Sequence, residues 1–171
     1  WTDEDANVVS TNANYQFTID GNRTFVAHFE IEEYEITVTA NPTAGGSVTG
    51  AGTFQYGQIV TLNATANTGY TFTNWTENGS VVSSSAEYSF TATADRTLVA
   101  NFSINRYHVT ATVNDPTKGN VTIEGETTDG MYDYGTVLVM TAAATEGNHF
   151  VAWNDGVTDA QREYTVVADV D

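Results

Sequence analysis

An internal repeat constrains this 171-residue chain more than any other feature of its sequence. The segment YEITVTANPTAGGSV, which starts at Tyr34, aligns with YHVTATVNDPTKGNV, which starts at Tyr107, at an offset of 73 residues. Further along, GYTFTNW ending at Trp75 aligns with GNHFVAW ending at Trp153, at an offset of 78 residues, after an insertion within 124–130. A period of this length indicates an array of small structural units. The matched landmarks are Tyr56 with Tyr134, Gly57 with Gly135, Gly69 with Gly147, and Phe72 with Phe150.

The first residues of the chain belong to the same pattern. YQFTIDGNRTFVAHF, residues 15–29, aligns with YSFTATADRTLVANF, residues 88–102, and Trp1 therefore corresponds to Trp75. The alignment predicts three units: the second half of one repeat in residues 1–31, a complete repeat in residues 32–103, and a third repeat in residues 104–171 that lacks its last strand.

Apolar and polar residues alternate within the complete repeat. Four segments have apolar side chains at every second position: Tyr34, Ile36, Val38 and Ala40; Val60, Leu62 and Ala64; Tyr88, Phe90 and Ala92; Leu98, Ala100 and Phe102. A period of two places such side chains on one face of a β-strand, and no segment has a sustained helical period. Turn residues such as Asn41-Pro42 and Gly45-Gly46 separate the strands. The sequence therefore predicts a mostly β fold.

Aromatic residues must supply much of each core, because a unit of this size buries little apolar surface. Phe72 and Trp75 cluster in one segment, which we expect to cross one face of the sheet and cover it. Trp75 and Trp153 occupy equivalent positions, as packing alone would produce, and we interpret both as core residues. Trp1 and Tyr132 are open to two interpretations, core packing or stacking against a sugar.

These landmarks together resemble a known repeat family. The motifs are Tyr-x-Ile/Val-Thr, Asn-Pro-x-x-Gly-Gly, Tyr-Gly-x-x-Val-x-Leu-x-Ala, Gly-Tyr-x-Phe-x-x-Trp and a closing Leu/Phe-Val-Ala-x-Phe, and they cover essentially the whole chain. This set is similar to the divergent internalin-B B-repeat family of bacterial surface proteins, related to the Listeria–Bacteroides repeats. The resemblance implies tandem β-grasp-like modules that form a stalk on an exported protein, secreted or on the bacterial cell surface, with no catalytic motif.

The charge of the chain excludes two classes of partner. The formal net charge is −17, from 22 acidic residues against 5 Lys and Arg. Nucleic acid and anionic lipid bind through Lys and Arg, so this surface repels both. Without cysteine, the chain has neither disulfides nor thiolate metal ligands. No run of about 18 apolar residues predicts membrane insertion of this segment.

Candidate catalytic and metal-binding residues do not converge in the sequence. The histidines lie in different strands or repeats, and we interpret them as surface residues: His28, His108 and His149. Acidic groups occur at Asp3-Glu4-Asp5, at Asp155 and Asp159, and at Asp169 and Asp171. None has the ligand spacing of a calcium-binding EF-hand loop. We therefore predict no enzymatic activity and no cofactor, with weak Ca²⁺ binding at a loop left open.

Three functions follow as hypotheses. The first is an extracellular stalk or spacer, since short linkers such as residues 103–106 leave each repeat little freedom to swivel. The second is self-assembly into dimers or filaments, in which a strand of one chain completes the open sheet edge of another copy. The predicted strand-donor residues are Arg23, Phe25, Ala27 and Phe29. The third is binding of a carbohydrate or a host protein by the module as an adhesin.

Overall fold

The structure of the chain is a computed structural model that describes residues 1–169. Its helical structure within that range is one 3₁₀ turn at Thr43–Gly45. The strands of the complete repeat are β1 Glu33–Asn41, β2 Gly46–Thr49, β3 Gly52–Gln55, β4 Ile59–Ala66, β5 Tyr70–Glu77, β6 Ser80–Ser83, β7 Glu87–Thr91 and β8 Arg96–Ile104. The strands that follow are β9 Arg106–His108, β10 Gly119–Ile123, β11 Met131–Asp133, β12 Val137–Ala144 and β13 Gln161–Thr165.

The complete repeat folds into two sheets around one core. β1 and β8 pair in parallel within a five-stranded sheet whose order is β3-β1-β8-β5-β6. The second sheet is antiparallel, in the order β2-β4-β7. Ile36 of β1, Leu62 of β4 and Leu98 of β8 are each at most 1% exposed in the shared core. Both sheets therefore bury their apolar faces against each other.

The alternation in the sequence predicts the burial of these strands. Inward residues of β1 and β4 are buried or half-buried, while most of the Thr, Asn and Glu residues between them are exposed. The prediction of a mostly β fold in tandem repeats of about 70 residues is confirmed. The β-grasp arrangement implied by the resemblance stays a prediction.

The aromatic segment that ends at Trp75 was expected to cross the face of the sheet, and this expectation is wrong. The segment is itself a strand, β5, which pairs with β8 along its length and with β6 near its end. Trp75 still lies wholly inside the core, because alternate side chains of a strand point to the same face. Its indole Nε1 donates a hydrogen bond to the carbonyl of Ala86 at 3.2 Å. The segment becomes a strand because β8, which is distant in sequence, pairs with it.

The third repeat follows the same plan with fewer strands. β9 pairs with β11 as β1 pairs with β3, and β10, β12 and β13 form a sheet that matches β2, β4 and β7. Val109, Leu138 and Val166 belong to its core. Tyr132 is only 6% exposed, so it is a core residue and not a sugar-stacking platform.

Two segments of the third repeat are less regular than their counterparts. β9 has three residues where β1 has nine, and residues 148–155, which align with β5, form no strand. In the complete repeat both β1 and β5 pair with β8. Residues 1–169 contain no counterpart of β8 in the third repeat. In the complete repeat, β8 supplies the backbone hydrogen bonds that keep both β1 and β5 regular.

Residues 1–31 have little regular structure. Isolated bridges join Thr2 to Val8 and to Val26. The rings of Phe17 and Phe25 pack with their centroids 4.6 Å apart. Large exposed apolar side chains are concentrated in this segment: Val8, Phe17, Ile19, Val26, Phe29 and Ile31.

Candidate functional site

The second and third repeats meet at a junction built on one glycine turn. Gly69 has a φ of +83°, and a Cβ at this position would overlap the ring of Tyr134. The positive φ and the close approach both require glycine. The backbone N–H of Asn105 donates to the Gly69 carbonyl at 2.8 Å, and the Asn105 carbonyl accepts from the Tyr134 N–H at 2.8 Å. The Thr71 hydroxyl donates to the Asn105 side chain at 2.7 Å, so the linker residue is bound to both repeats.

Counterparts of the two junction residues occur elsewhere in the chain. Tyr56 corresponds to Tyr134 and is 57% exposed. Gly147 corresponds to Gly69, has a φ of +79°, and has open space where a Cβ would lie. Residues equivalent to both sides of the junction therefore recur along the chain.

A groove of about 890 Å³ lies in the third repeat. It is lined by residues 110–115 and 148–155, together with apolar side chains of β12 and β13. In the complete repeat the counterparts of the two lining segments lie in β1 and β5, which pair with β8 on either side. The groove therefore corresponds to the position that β8 occupies in the complete repeat.

The tryptophans show what β8 covers. Trp75 is wholly buried, whereas its counterpart Trp153 is half-buried, packs against the core of the third repeat and lines the groove. The Trp153 Nε1 donates to the carbonyl of Asp159 at 2.8 Å. Trp1 is also half-buried and donates to the carbonyl of Ala13 at 3.2 Å. Each indole is thus anchored within its own repeat.

The predicted donor residues lie along the segment 23–29, which contains one bridge and no longer strand. The Arg23 guanidinium forms an ion pair with Asp20 at 3.0 Å. Phe25 and Ala27 are half-buried, and Phe29 is 91% exposed. Their counterparts in β8 are Arg96, Leu98, Ala100 and Phe102.

The structure does not bring the three histidines together. His28 is exposed, and its Nε2 lies 2.9 Å from the Thr2 hydroxyl. His108 is half-buried beside β11, and His149 is exposed at the groove. Within residues 1–169, no group of three or more His, Cys, Asp or Glu side chains could hold a metal ion.

Acidic residues of the predicted groups accept hydrogen bonds in their own turns. Hydrogen bonds from the side chain and backbone of Asn7 lower the pKa of Asp3. The hydrogen bond from Arg162 lowers the pKa of Asp155, and the two side chains are 2.6 Å apart. These carboxylates stay charged and already have partners. Weak Ca²⁺ binding at such a loop stays a prediction.

A recurring backbone contact escaped the sequence analysis. The Asp169 carboxylate accepts the His108 N–H at 2.7 Å, as the Asp95 carboxylate accepts the Glu35 N–H at 2.8 Å. Each aspartate follows an alanine and lies three residues after a buried inward residue. An alignment of the two repeats could therefore have indicated this recurring contact. Asp171, the other member of that acidic group, lies outside the described residues.

The fold, the junction and the recurring contacts define a mostly β tandem-repeat protein. The family model described as the divergent InlB B-repeat domain matches residues 1–33, 36–106 and 109–170. The chain belongs to this family, which is a repeat domain of surface proteins and not a known enzyme family. No curated protein and no solved structure matches the chain. No helix within the described residues has the length and apolar character needed to cross a membrane.

Proposed function

We propose that this chain is an extracellular spacer of a bacterial surface protein, whose repeats hold another domain at a distance. The observation that carries the proposal is the junction of Gly69, Asn105 and Tyr134. A flexible linker makes no lasting contacts with the units that it joins, whereas Asn105 is hydrogen-bonded to both. Repeats that contact only their neighbours add length in proportion to their number.

We propose further that the repeats act without catalysis. The described carboxyl groups with a shifted pKa all have it lowered, by hydrogen bonds or ion pairs: Asp3, Glu77, Asp115, Asp129 and Asp155. A carboxyl group that acts as a general acid near neutral pH needs a raised pKa. The lowered pKa values of these residues are therefore typical of carboxylates with a structural role.

Binding of a carbohydrate or a host protein has less support. The tryptophans are anchored within their repeats, and the exposed aromatic residue Tyr56 is the counterpart of Tyr134, whose ring packs at the junction. Titration with candidate glycans while following tryptophan fluorescence tests this alternative. A saturable change in fluorescence would favour it over the spacer.

Spin labels on both sides of the junction test the spacer. The chain has no cysteine, so Val81→Cys in the second repeat and Glu124→Cys in the third place two labels on exposed residues. Electron paramagnetic resonance then measures the distribution of distances between them. We expect one narrow distribution, because the junction holds the two repeats in one orientation. A broad distribution in the unsubstituted junction would contradict the proposal.

Two tyrosine variants provide a matched comparison. Tyr134→Ala removes the ring that covers Gly69 and should broaden the distance distribution. Tyr56→Ala changes the equivalent residue of the second repeat, which is 57% exposed, and should leave the distribution unchanged. Equal effects of both variants would mean that the ring at the junction does not set the orientation.

A further inference from the structure

The hairpin that joins β5 to β6 turns through two residues, Asn78 and Gly79. Glu77 of β5 pairs with Ser80 of β6, so these two residues alone form the loop. Both have a positive φ, +49° at Asn78 and +80° at Gly79. Two positive φ angles in a two-residue loop are typical of the type I′ turn, which Asn-Gly sequences favour. The geometry of the hairpin therefore explains why this dipeptide stands here.

Asn-Gly is also the dipeptide in which asparagine reacts most readily with its own backbone. Attack of the following backbone nitrogen on the side-chain amide carbon closes a five-membered ring. Glycine has no Cβ that would crowd this nitrogen. Asn78 is the one asparagine of the sequence that is followed by glycine. Ring closure is therefore least hindered at this asparagine.

The surroundings of the hairpin loop leave the reacting atoms accessible. Asn78 and Gly79 are both exposed, and a Cβ at Gly79 would meet no atom within 4 Å. Among residues 1–169, no hydrogen bond uses the Asn78 side chain or the Gly79 N–H. The side chain of Asn67, by contrast, donates to the Ala44 carbonyl at 3.0 Å. Neither the amide that reacts nor the nitrogen that attacks has to give up a partner in the protein.

Three Asp-Gly pairs of the sequence could form the same ring, but each aspartate is held as a bound carboxylate. Asp20 forms an ion pair with a nearby arginine at 3.0 Å. Asp129 accepts the N–H of Met131 at 3.1 Å, and Asp155 accepts a hydrogen bond from Arg162 at 2.6 Å. These contacts stabilise the charged form, and a carboxylate is a weak electrophile because attack adds negative charge to a group that already has it. The neutral amide at the β5–β6 loop differs from all three.

We infer that Asn78 is a site of spontaneous deamidation and that its isoaspartate product opens the β5–β6 hairpin. The Gly79 nitrogen loses its proton to solvent and bonds to Cγ of Asn78. The bond from Cγ to the side-chain nitrogen breaks, and that nitrogen takes up a proton and leaves as ammonia. Water, the co-reactant, then opens the cyclic imide at either carbonyl carbon. Addition at Cγ gives aspartate, and addition at the backbone carbonyl gives isoaspartate, in which the chain runs through Cβ and Cγ.

The isoaspartate product does not fit the hairpin. It lengthens the backbone of the loop by one carbon atom, whereas a type I′ turn joins two strands through exactly two ordinary residues. β6 is the edge strand of the five-stranded sheet and has four residues, so its pairing with β5 depends on a short ladder. Ammonia lost to bulk water does not return, and the product accumulates with the age of the molecule. The inference is independent of the spacer, because it uses neither Gly69 nor Tyr134.

Peptide mapping by mass spectrometry tests the site of reaction. The folded chain is incubated in heavy-oxygen water at mildly alkaline pH, which favours loss of the Gly79 proton. We expect one heavy oxygen to enter at residue 78, with aspartate and isoaspartate both present. Every other asparagine should convert at least about tenfold more slowly, because each precedes a residue that has a Cβ. An intact Asn78, or aspartate without isoaspartate, would overturn the inference.

Two glycine variants provide a matched comparison for the reaction. Gly79→Ala places a Cβ beside the attacking nitrogen and should slow conversion of Asn78 by at least about tenfold. Gly57→Ala changes another turn glycine, which has a φ of +86° and the same open space around it, and should leave the rate at Asn78 unchanged. Equal rates in the Gly79→Ala variant and in the unsubstituted chain would overturn ring closure through this nitrogen.

Hydrogen exchange tests the effect on the hairpin. Freshly purified Asn78→Asp is the control, because it has the new charge on an unaltered backbone. Exchange of the β6 amides in this variant should stay within about twofold of that in the unsubstituted chain. The separated isoaspartate product should exchange these amides at least about tenfold faster, because its longer loop no longer holds β6 on β5. The same exchange in both would overturn the inference that the product opens the hairpin.

Discussion

The guanidinium group of Arg96 binds both carboxylate oxygens of Glu77, with Nε 2.9 Å from Oε1 and Nη2 2.7 Å from Oε2. The pair links β8 to β5 across the five-stranded sheet. The guanidinium carbon also lies 4.1 Å from the ring centroid of Phe90, in β7 of the other sheet. One side chain therefore connects both sheets of the complete repeat. Its hydrogen bond lowers the pKa of Glu77 and keeps this carboxylate charged at neutral pH.

Removal of the charge on Glu77 should weaken the complete repeat. Glu77→Gln keeps the size of the side chain but loses the charge-assisted hydrogen bonds to Arg96, and we expect the free energy of unfolding to fall by about 1–2 kcal/mol. Hydrogen exchange of the β8 backbone amides measures this change in the second repeat alone. Glu87→Gln, at an exposed position of β7, is the control and should leave exchange unchanged.

The same pair predicts a loss of stability in acid. The pKa of Glu77 in the folded state lies below its ordinary value of 4.5. The stabilisation is therefore complete above that value and is lost as the pH falls through the lower folded pKa. The difference in unfolding free energy between the unsubstituted chain and Glu77→Gln should be constant from about pH 6 to pH 8 and shrink below about pH 4.5. A difference that widens in acid would contradict this assignment.

The two equivalent tryptophans should differ in their contribution to stability. Trp75→Ala removes a wholly buried side chain and should cost about 3–5 kcal/mol in the second repeat. Trp153→Ala removes a half-buried one and should cost roughly half as much in the third repeat. Urea dependence of amide exchange in β5 and in β12 measures each repeat separately. Equal costs would mean that β8 does not account for the burial of Trp75.

A pair of glycine variants isolates the junction. Gly69→Ala and Gly147→Ala share a backbone strain of about 1–2 kcal/mol, because both positions have a φ near +80°. Only Gly69→Ala also displaces the ring of Tyr134. We expect amide exchange at Asn105 and Tyr134 to rise about tenfold in Gly69→Ala and to stay unchanged in Gly147→Ala. The same rates in both variants would contradict a junction held by this contact.

The inward faces of the strands could be predicted from the sequence because they depend on a local period of two. Ile36, Val60, Leu62, Leu98 and Ala100 all lie in the core that the alternation indicates. The family could be predicted for a similar reason, since its motifs recur in order along the chain. These properties need no knowledge of which strand lies beside which.

The junction could not be predicted in the same way. Gly69 and Tyr134 were both landmarks of the alignment, yet a sequence match says only that each has a counterpart. Their contact depends on the path of residues 103–106, where Asn105 binds both repeats. The two landmarks therefore became a site only through the packing of one repeat on the next.

The sequence by itself determined the repeat, the mostly β fold, the inward residues and the acidic surface, because each follows from composition or from a short period. The tertiary structure decided which segments become strands. Residues 70–77 and 148–155 contain the same aromatic motif, yet only the first forms a strand and buries its tryptophan completely. The physical reason is that a strand needs a partner for its backbone hydrogen bonds, and β8, which comes from the far end of the repeat, supplies that partner to β5.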